Sequence, residues 1–321
     1  MSEHSAKVIK IDEILPHPNA DSLGLVRIGG YTVCIRLNDF NAGDLAIYIE
    51  PDSIVPQDDP QFEFLGEHRR IKARRLRNIW SVGLLIHAPE GAQVGENWME
   101  RLGIEHYEPP LPMSTGGDSV KAPVGVFPIY DVENFNRYPD VIKPGEHVII
   151  SEKLHGCNAR FTWQDDQMYV GSRKNWKKAC EKSVWWKAFQ QSPWIYIWCK
   201  HYPDLSLYGE VFGKVQSLQY GAGPNEFKFR VFDVWHKHEL RFLDFDEVTA
   251  LESYGLRYVP LLHDGPFDEE MARKFAEENS SITDAKHYRE GVVIKPVVER
   301  RDDALGRVIL KIVGNRYLSK S

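Results

Sequence analysis

A lysine followed three positions later by glycine, Lys153 to Gly156 in EKLHGCN, stands directly after the apolar run HVIIS. A lysine amine is a strong nucleophile once it has lost its proton, so a site that uses it must depress its pKa through neighbouring cations or desolvation. By itself the spacing is a weak signal. At ordinary Lys and Gly frequencies it arises about once by chance in a chain of this size, and a second copy runs from Lys311 to Gly314. The first copy gains weight from the ordered residues downstream of it: Ser172-Arg173 in YVGSRKNW, Glu210 in LYGEVFG, Phe232-Asp233 in FRVFDVW, Glu290-Gly291 in EGVVIKP and Lys311 in VILKIV. A nucleophile accompanied by carboxylates and further cations suits phosphoryl transfer, which needs alignment and charge neutralisation from Lys, Arg and divalent metal.

The ordered set resembles the motifs of the covalent nucleotidyltransferase superfamily, and especially its ATP-dependent RNA ligases, over residues 146–317. The resemblance implies that Lys153 takes AMP from ATP, that Leu154 and Gly156 complete its motif, and that Lys311 and Glu290 join it in catalysis. It implies Mg²⁺ or Mn²⁺ held by Glu210 and Glu290 largely through water, which suits the reluctance of Mg²⁺ to dehydrate. It further implies that Glu152 reads the adenine edge, Glu210 the ribose hydroxyls and Arg173 the ribose or a phosphate, with Asn158 acting at a later step. One position departs from the pattern: many RNA ligases end on Lys-x-Lys, and this chain has Lys311 and Val313. Lys295 and Arg316 are the candidates to replace the missing cation, against their ordinary reading as surface charges.

Strand alternation gives a separate argument for the aromatic motif, because residues two apart share a face. In FKFRVFDVW, Phe232 lies with Lys228 and Arg230, opposite Phe227, Phe229, Val231 and Trp235. An aromatic on the polar face suits adenine stacking. Asp233 then falls on the apolar face, where a carboxylate must have a partner.

These residues need a scaffold of strands. HVIISEKL, CNARFTW, LSLYGEVF, FKFRVFDVW, EGVVIKPV and RVILKIV read as strands, while DFDEVTALESYG and PFDEEMARKFAEENS read as helices, the first opening on a capping-box pattern at Asp244 and Glu247. Upstream, KVIKIDEIL, LGLVRIGG, YTVCIRL, DLAIYIE and SVGLLIH read as the five strands of a small OB-like barrel, with HPNADSL as a turn and Gly29-Gly30 as a hairpin. The expected fold class is α+β: an OB-like nucleic-acid-binding domain over residues 1–107, a Pro/Gly/Ser connector over 108–123, and a mixed α/β nucleotidyltransferase domain with antiparallel sheets over 124–321.

Composition bounds the partners. The 321 residues are 42% hydrophobic and 27% charged, with no stretch long and apolar enough to span a bilayer. Without a secretory pattern the expectation is a cytoplasmic monomer. Four scattered cysteines indicate neither a disulfide framework nor a zinc site. The net charge of -6 hides two basic segments: Arg69, Arg70, Lys72, Arg74, Arg75 and Arg77 in one, Lys174 and Lys177 in a Trp-rich other. Both are expected to track phosphates, although Trp176, Trp185 and Trp186 read better as helical core than as base-stacking groups. Placement of the β-rich module before the catalytic motifs, with its HPNADSL stretch, is similar to Deinococcus-type RNA ligases and implies a nicked RNA-containing duplex as substrate. A non-enzymatic RNA-binding OB protein and another covalent nucleotidyltransferase are the alternatives.

Overall fold

Alternation of apolar and polar residues makes strands, nearly all antiparallel, the main regular element of the chain, as a computed structural model describing residues 4–107 and 118–320 shows. It divides into two compact units: the described residues of Met1–Pro109 with Phe135–Pro139 and Asn315–Ser321, and those of Pro110–Asn134 with Asp140–Gly314. The units thus do not follow the chain as a simple two-part division.

The first unit contains β1 (Ala6–Lys10), β2 (Leu15–Pro16), β3 (Leu23–Ile28), β4 (Tyr31–Arg36), β5 (Leu45–Ile49), β6 (Ser53–Ile54), β7 (Arg74–Leu76), β8 (Ile79–Ser81), β9 (Leu84–His87) and β10 (Glu105–His106). The five expected apolar runs form β1, β3, β4, β5 and, for SVGLLIH, the end of β8 with β9. The remaining strands are two or three residues long, too short to carry a period. Sheet β1-β5-β9 packs Ala6, Val8, Ile47, Ile49 and Ile86 around Phe62. Gly29 turns the β3–β4 hairpin at φ 55°, and a Cβ there would meet the Asn136 carbonyl oxygen at 2.4 Å.

The second unit contains β11 (Ser119–Val120), β12 (Glu133–Asn134), β13 (His147–Lys153), β14 (Cys157–Gln164), β15 (Gln167–Ser172), β16 (Trp176–Lys177), β17 (Leu205–Gly213), β18 (Phe227–His236), β19 (Arg241–Phe242), β20 (Leu261–Pro266), β21 (Gly291–Pro296), β22 (Arg301–Asp302), β23 (Gly306–Arg307) and β24 (Leu310–Val313). A seven-stranded sheet runs β11-β16-β15-β14-β17-β18-β19 and a five-stranded one β12-β24-β21-β13-β20. The helices are α1 (Val184–Gln191), α2 (Trp194–His201), α3 (Phe245–Ala250), α4 (Glu269–Glu277) and, in the first unit, α5 (Asn315–Lys320). Asp244 and Glu247 form the capping box of α3.

Helices α1 and α2 cover one face of the larger sheet, where Phe161 meets Phe189 and Phe229 meets Trp194. Its other face carries Asn158, Glu210 and Arg230 in one cross-strand row. Two expectations change here. Residues 108–117 of the connector lie outside the described residues, but Ser119–Val120 pair with Trp176–Lys177 as a strand; a two-residue edge pairing leaves no compositional mark. Trp176 accordingly sits in β16 rather than in a helix, while Trp185 is buried in α1.

Candidate active site

Register places the residues of the site. Lys153 ends β13 opposite Gly291 of β21, so the preceding Glu290 arrives beside it. The Lys153 Nζ donates to Glu290 Oε1 at 2.6 Å. Gly156 lets the turn after Lys153 lie on β17: a Cβ there would meet the Val211 carbonyl oxygen at 2.0 Å. That contact brings Glu210 to the lysine from the larger sheet, and the Gly156 N–H supports its carboxylate.

Electrostatics within this trio run against the expectation of a depressed lysine. Burial pulls the Lys153 pKa down, but Glu290 and Glu210 outweigh it and hold it above the ordinary lysine value. Burial likewise opposes charge on Glu290, yet Lys153 and His155 bring it to about 2. Glu210 goes the other way: burial, opposed by Lys153 and reinforced by Glu290, pushes it up to about 8. Below about pH 8 Glu210 therefore holds its proton, and the Glu290 carboxylate and the Lys153 ammonium balance one another.

The Glu210 shift fixes a pH dependence. A carboxyl whose folded pKa lies above its unfolded value contributes stability that is full below the unfolded value and is lost as pH rises through the folded one. For Glu210 that window runs from the ordinary 4.5 to about 8. Glu210→Gln removes the loss, so its melting temperature should rise relative to the parent as pH goes from 5 to 8, by the equivalent of on the order of 4 kcal/mol at the upper end. Thermal unfolding of both proteins across that range checks it; a constant difference would count against the assignment.

His155, inside the Lys153–Gly156 motif, is given no role by the sequence. It is buried, with Nδ1 3.2 Å from Glu290 Oε2 and Nε2 3.1 Å from Ser217 Oγ, while its backbone N–H donates to the Tyr220 hydroxyl at 2.6 Å. It fixes the Glu290 oxygen that Lys153 leaves over. Its position between the lysine and the glycine was the available signal.

Lys311 in β24 lies opposite Val293, and Val313 opposite Gly291, so both share the Lys153 face of the smaller sheet. Val313 thus stands in the row of Lys153, where a second lysine would otherwise stand. Lys295 shares that face but does not serve as the replacement: its Nζ is 2.5 Å from Asp233 Oδ1, and it is buried. Asp233, whose partner the sequence left unnamed, also binds Arg307 at 2.8 Å and the Tyr130 hydroxyl. Burial works against its charge, but Arg307 and Lys295 keep its pKa below the ordinary aspartate value.

Phe232 is the extra residue of a β-bulge, since Tyr208 pairs with Asp233 and Gly209 with Val231. Its half-buried ring packs on Tyr130, 4.3 Å between centroids. Asn158 shares the row of Glu210, and its Oδ1 is buried without a hydrogen bond. Arg173 pairs with Asp131 and remains partly exposed. Leu154 is buried. The Glu152 expectation needs correction: adjacent residues in a strand face opposite ways, and its buried carboxylate accepts from Ser280 Oγ at 2.6 Å and the Ser281 N–H at 2.7 Å. The side chain braces that loop instead of offering a free edge to a base.

The basic segments also divide. Arg69 donates to the carbonyls of Phe62 and Gln57, and Arg70 pairs with Asp52 at 2.6 Å under the Tyr107 ring. Both are structural rather than phosphate-facing. Burial, with Arg70 adding, lowers the Lys72 pKa. Arg74, Arg75 and Arg77 are exposed, as is Lys174, while Lys177 lies over the Trp185 ring at 5.1 Å.

Glu210 and Glu290 fit a hard cation that retains much of its water, because both offer carboxylate oxygen and a cation beside them would favour the ionised form of Glu210. Among the described residues no group of three or more His, Cys, Asp or Glu side chains could cage a metal ion. No helix among them is long and apolar enough to cross a membrane.

Residues 146–313 match the family model for RNA ligase, and residues 5–88 match a model for an OB-fold domain. Among solved structures, Naegleria gruberi RNA ligase with PPi is 26% identical, with a TM-score of 0.80 over 99% of this chain and 98% of that one. A point mutant of the Naegleria gruberi RNA ligase with AMP and Mn is 25% identical, with a TM-score of 0.81 over 99% of each chain. An apo mutant from the same organism, at 24% identity and a TM-score of 0.82 over 99% of each chain, shares the fold. No curated protein matches the chain.

Proposed function

The chain belongs to the RNA ligase family, and from that premise we propose that it seals 3′-OH/5′-phosphate nicks in RNA-containing duplexes with ATP, through AMP carried on Lys153. The observation that carries the reading is the half-buried Lys153 amine bonded to Glu290 and flanked by Glu210. In the first step the Lys153 Nζ–Pα bond forms, the bond from Pα to the bridging oxygen breaks, pyrophosphate leaves, and the amine loses a proton. The AMP then passes to the 5′-phosphate of the nick, and attack by the 3′-OH releases it.

The chain's own groups set the terms of that step. Burial is the largest influence on Lys153 and favours the neutral amine, while the two carboxylates hold the proton on it. Glu290 Oε1 orients Nζ, and His155 keeps Glu290 in place. Glu210 and Glu290 would hold Mg²⁺ or Mn²⁺, which when bound supplies charge neutralisation at the triphosphate. Lys311 adds a cation from the same sheet face. Phe232 is the shelf for adenine, and Arg173 a ribose or phosphate contact.

The OB-like unit grips the duplex through exposed Arg74, Arg75 and Arg77. Such contacts are sensitive to salt. Charge reversal at Arg74 and Arg75 should therefore lower affinity for a nicked duplex by at least about tenfold at physiological salt, and should lower Lys153 adenylylation much less. Parallel loss of both activities would refute this division of labour. The reading as a whole is tested by offering labelled ATP or GTP, then nicks ending in RNA or DNA. ATP labelling with sealing of RNA-terminated nicks supports it. GTP use, or equal sealing of all-DNA nicks, would point to another covalent nucleotidyltransferase, and no covalent label to a binding protein alone.

A further inference from the structure

The HPNADSL stretch, His17–Leu23, takes no part in the chemistry described, yet it makes directed bonds to the exposed arginine hairpin. Arg74–Leu76 and Ile79–Ser81 pair antiparallel, joined through Arg77 and Asn78 at φ 44° and 73°. Two successive left-handed residues make the tight turn that suits a two-residue hairpin. An arginine in that conformation costs about 1 kcal/mol that glycine would not, and a two-stranded hairpin alone is marginal.

Bracing comes from the HPNADSL loop. The backbone N–H of Asn19 donates to His17 Nδ1 at 3.1 Å, which leaves Nε2 as the donor toward the Leu76 carbonyl at 3.2 Å. Asn19 Nδ2 donates to the next carbonyl, Arg77 O, at 2.9 Å. Two consecutive turn carbonyls are thus held from one loop, itself tied by His17 N–H to Leu23 O at 3.1 Å. The base of the hairpin is fixed separately, by Cys34 N–H to Ser81 Oγ and Val82 N–H to Thr32 O. Arg69 and Arg70, just upstream, are occupied within the fold, whereas Arg74, Arg75 and Arg77 are exposed.

We infer that His17 and Asn19 are positioning residues that hold a cationic hairpin, Arg74 to Ser81, in the shape that binds the phosphate backbone of RNA. This rests on the nick-sealing reading above. The hairpin offers clustered cations to the phosphates, so binding falls with salt. Ordering the arginines before binding removes an entropic cost that a loose loop would incur on contact.

The test measures affinity of the full chain for a fluorescent nicked duplex with an RNA 3′-OH strand over a series of KCl concentrations. Asn19→Ala and His17→Ala should each weaken binding about tenfold and flatten the salt dependence by about the 0.7–0.9 per contact expected for one phosphate. His17→Gln, which keeps an N–H near Leu76 O, should recover most of the affinity. In an Arg77→Gly background the turn no longer needs bracing, so Asn19→Ala should weaken binding less than in the parent; this coupling separates positioning from general loss of fold. Wild-type affinity and slope in Asn19→Ala, with Arg75→Glu weakened, would overturn the positioning role and leave the hairpin as the RNA contact. No effect of Arg75→Glu would overturn the inference at its root. Failure of wild-type protein to label with ATP would strike the functional reading instead.

Discussion

Lys153→Ala is expected to carry no label after incubation with α-labelled ATP and Mg²⁺ or Mn²⁺ and denaturing separation, where the parent carries one. The amine is the bond-forming atom in the proposed step, and Lys311 on the next strand but one cannot stand in for it, because it lies in register with Val293 rather than with Gly291. Loss of a covalent nucleophile removes the pathway outright, so adenylylation should fall by more than about 10³-fold. Sealing of nicks already carrying a 5′-adenylate bypasses the first step and should survive in part. A persistent label in Lys153→Ala would move the nucleophile elsewhere.

Glu290→Gln should have the next largest effect and a more informative one. Glutamine keeps the size and can still accept from Lys153 Nζ, but its charge is gone. Adenylylation should fall on the order of 10²–10³-fold, as when one electrostatic contact is removed from a preorganised site. Glu290 is also the first of the two carboxylates that raise the lysine pKa. Its removal leaves burial to dominate, so the rising limb of the rate against pH should move to lower pH. A reduced rate with an unmoved limb would mean that Glu290 acts on metal or phosphate without governing the proton. Folding would report the same carboxylate differently: a pKa of about 2 contributes stability present above the ordinary 4.5 and lost as pH falls toward 2, and Glu290→Gln should abolish that acid-side slope.

The ordered motifs were legible because each lies in or beside a strand, and register then brought Lys153 and Glu210, with Glu290 from the bend just before β21, together. The bulge at Phe232 is invisible to a rule of two, and it corrects the placement of Asp233: alternation put it on the apolar face, but it pairs with Tyr208 and so shares the Glu210 face. Glu152 was misread for a different reason. Alternation already placed it on the face opposite Lys153, but motif position was given precedence over strand geometry. Arg69 and Arg75 look alike in sequence; only the carbonyls that Arg69 meets after folding separate them. Asp233 needed partners, as its burial demanded, but Tyr130 and Arg307 come from segments far away in the chain, and nothing local names them. Val313 was read as a missing phosphate contact, and the commitment of Lys295 to Asp233 rules out one proposed substitute.

The bond between Lys153 and Glu290 joins residues 137 apart in sequence. Contacts of such separation form late, after shorter loops have closed. During synthesis the lysine and its strand are made long before β21 and β24 exist, so a nascent or truncated chain holds a lysine without its carboxylate partner. The proposed chemistry is thereby tied to completion of the last strands of the sheet, and the first unit, which takes in Asn315–Ser321, is likewise complete only when the end of the chain has been made.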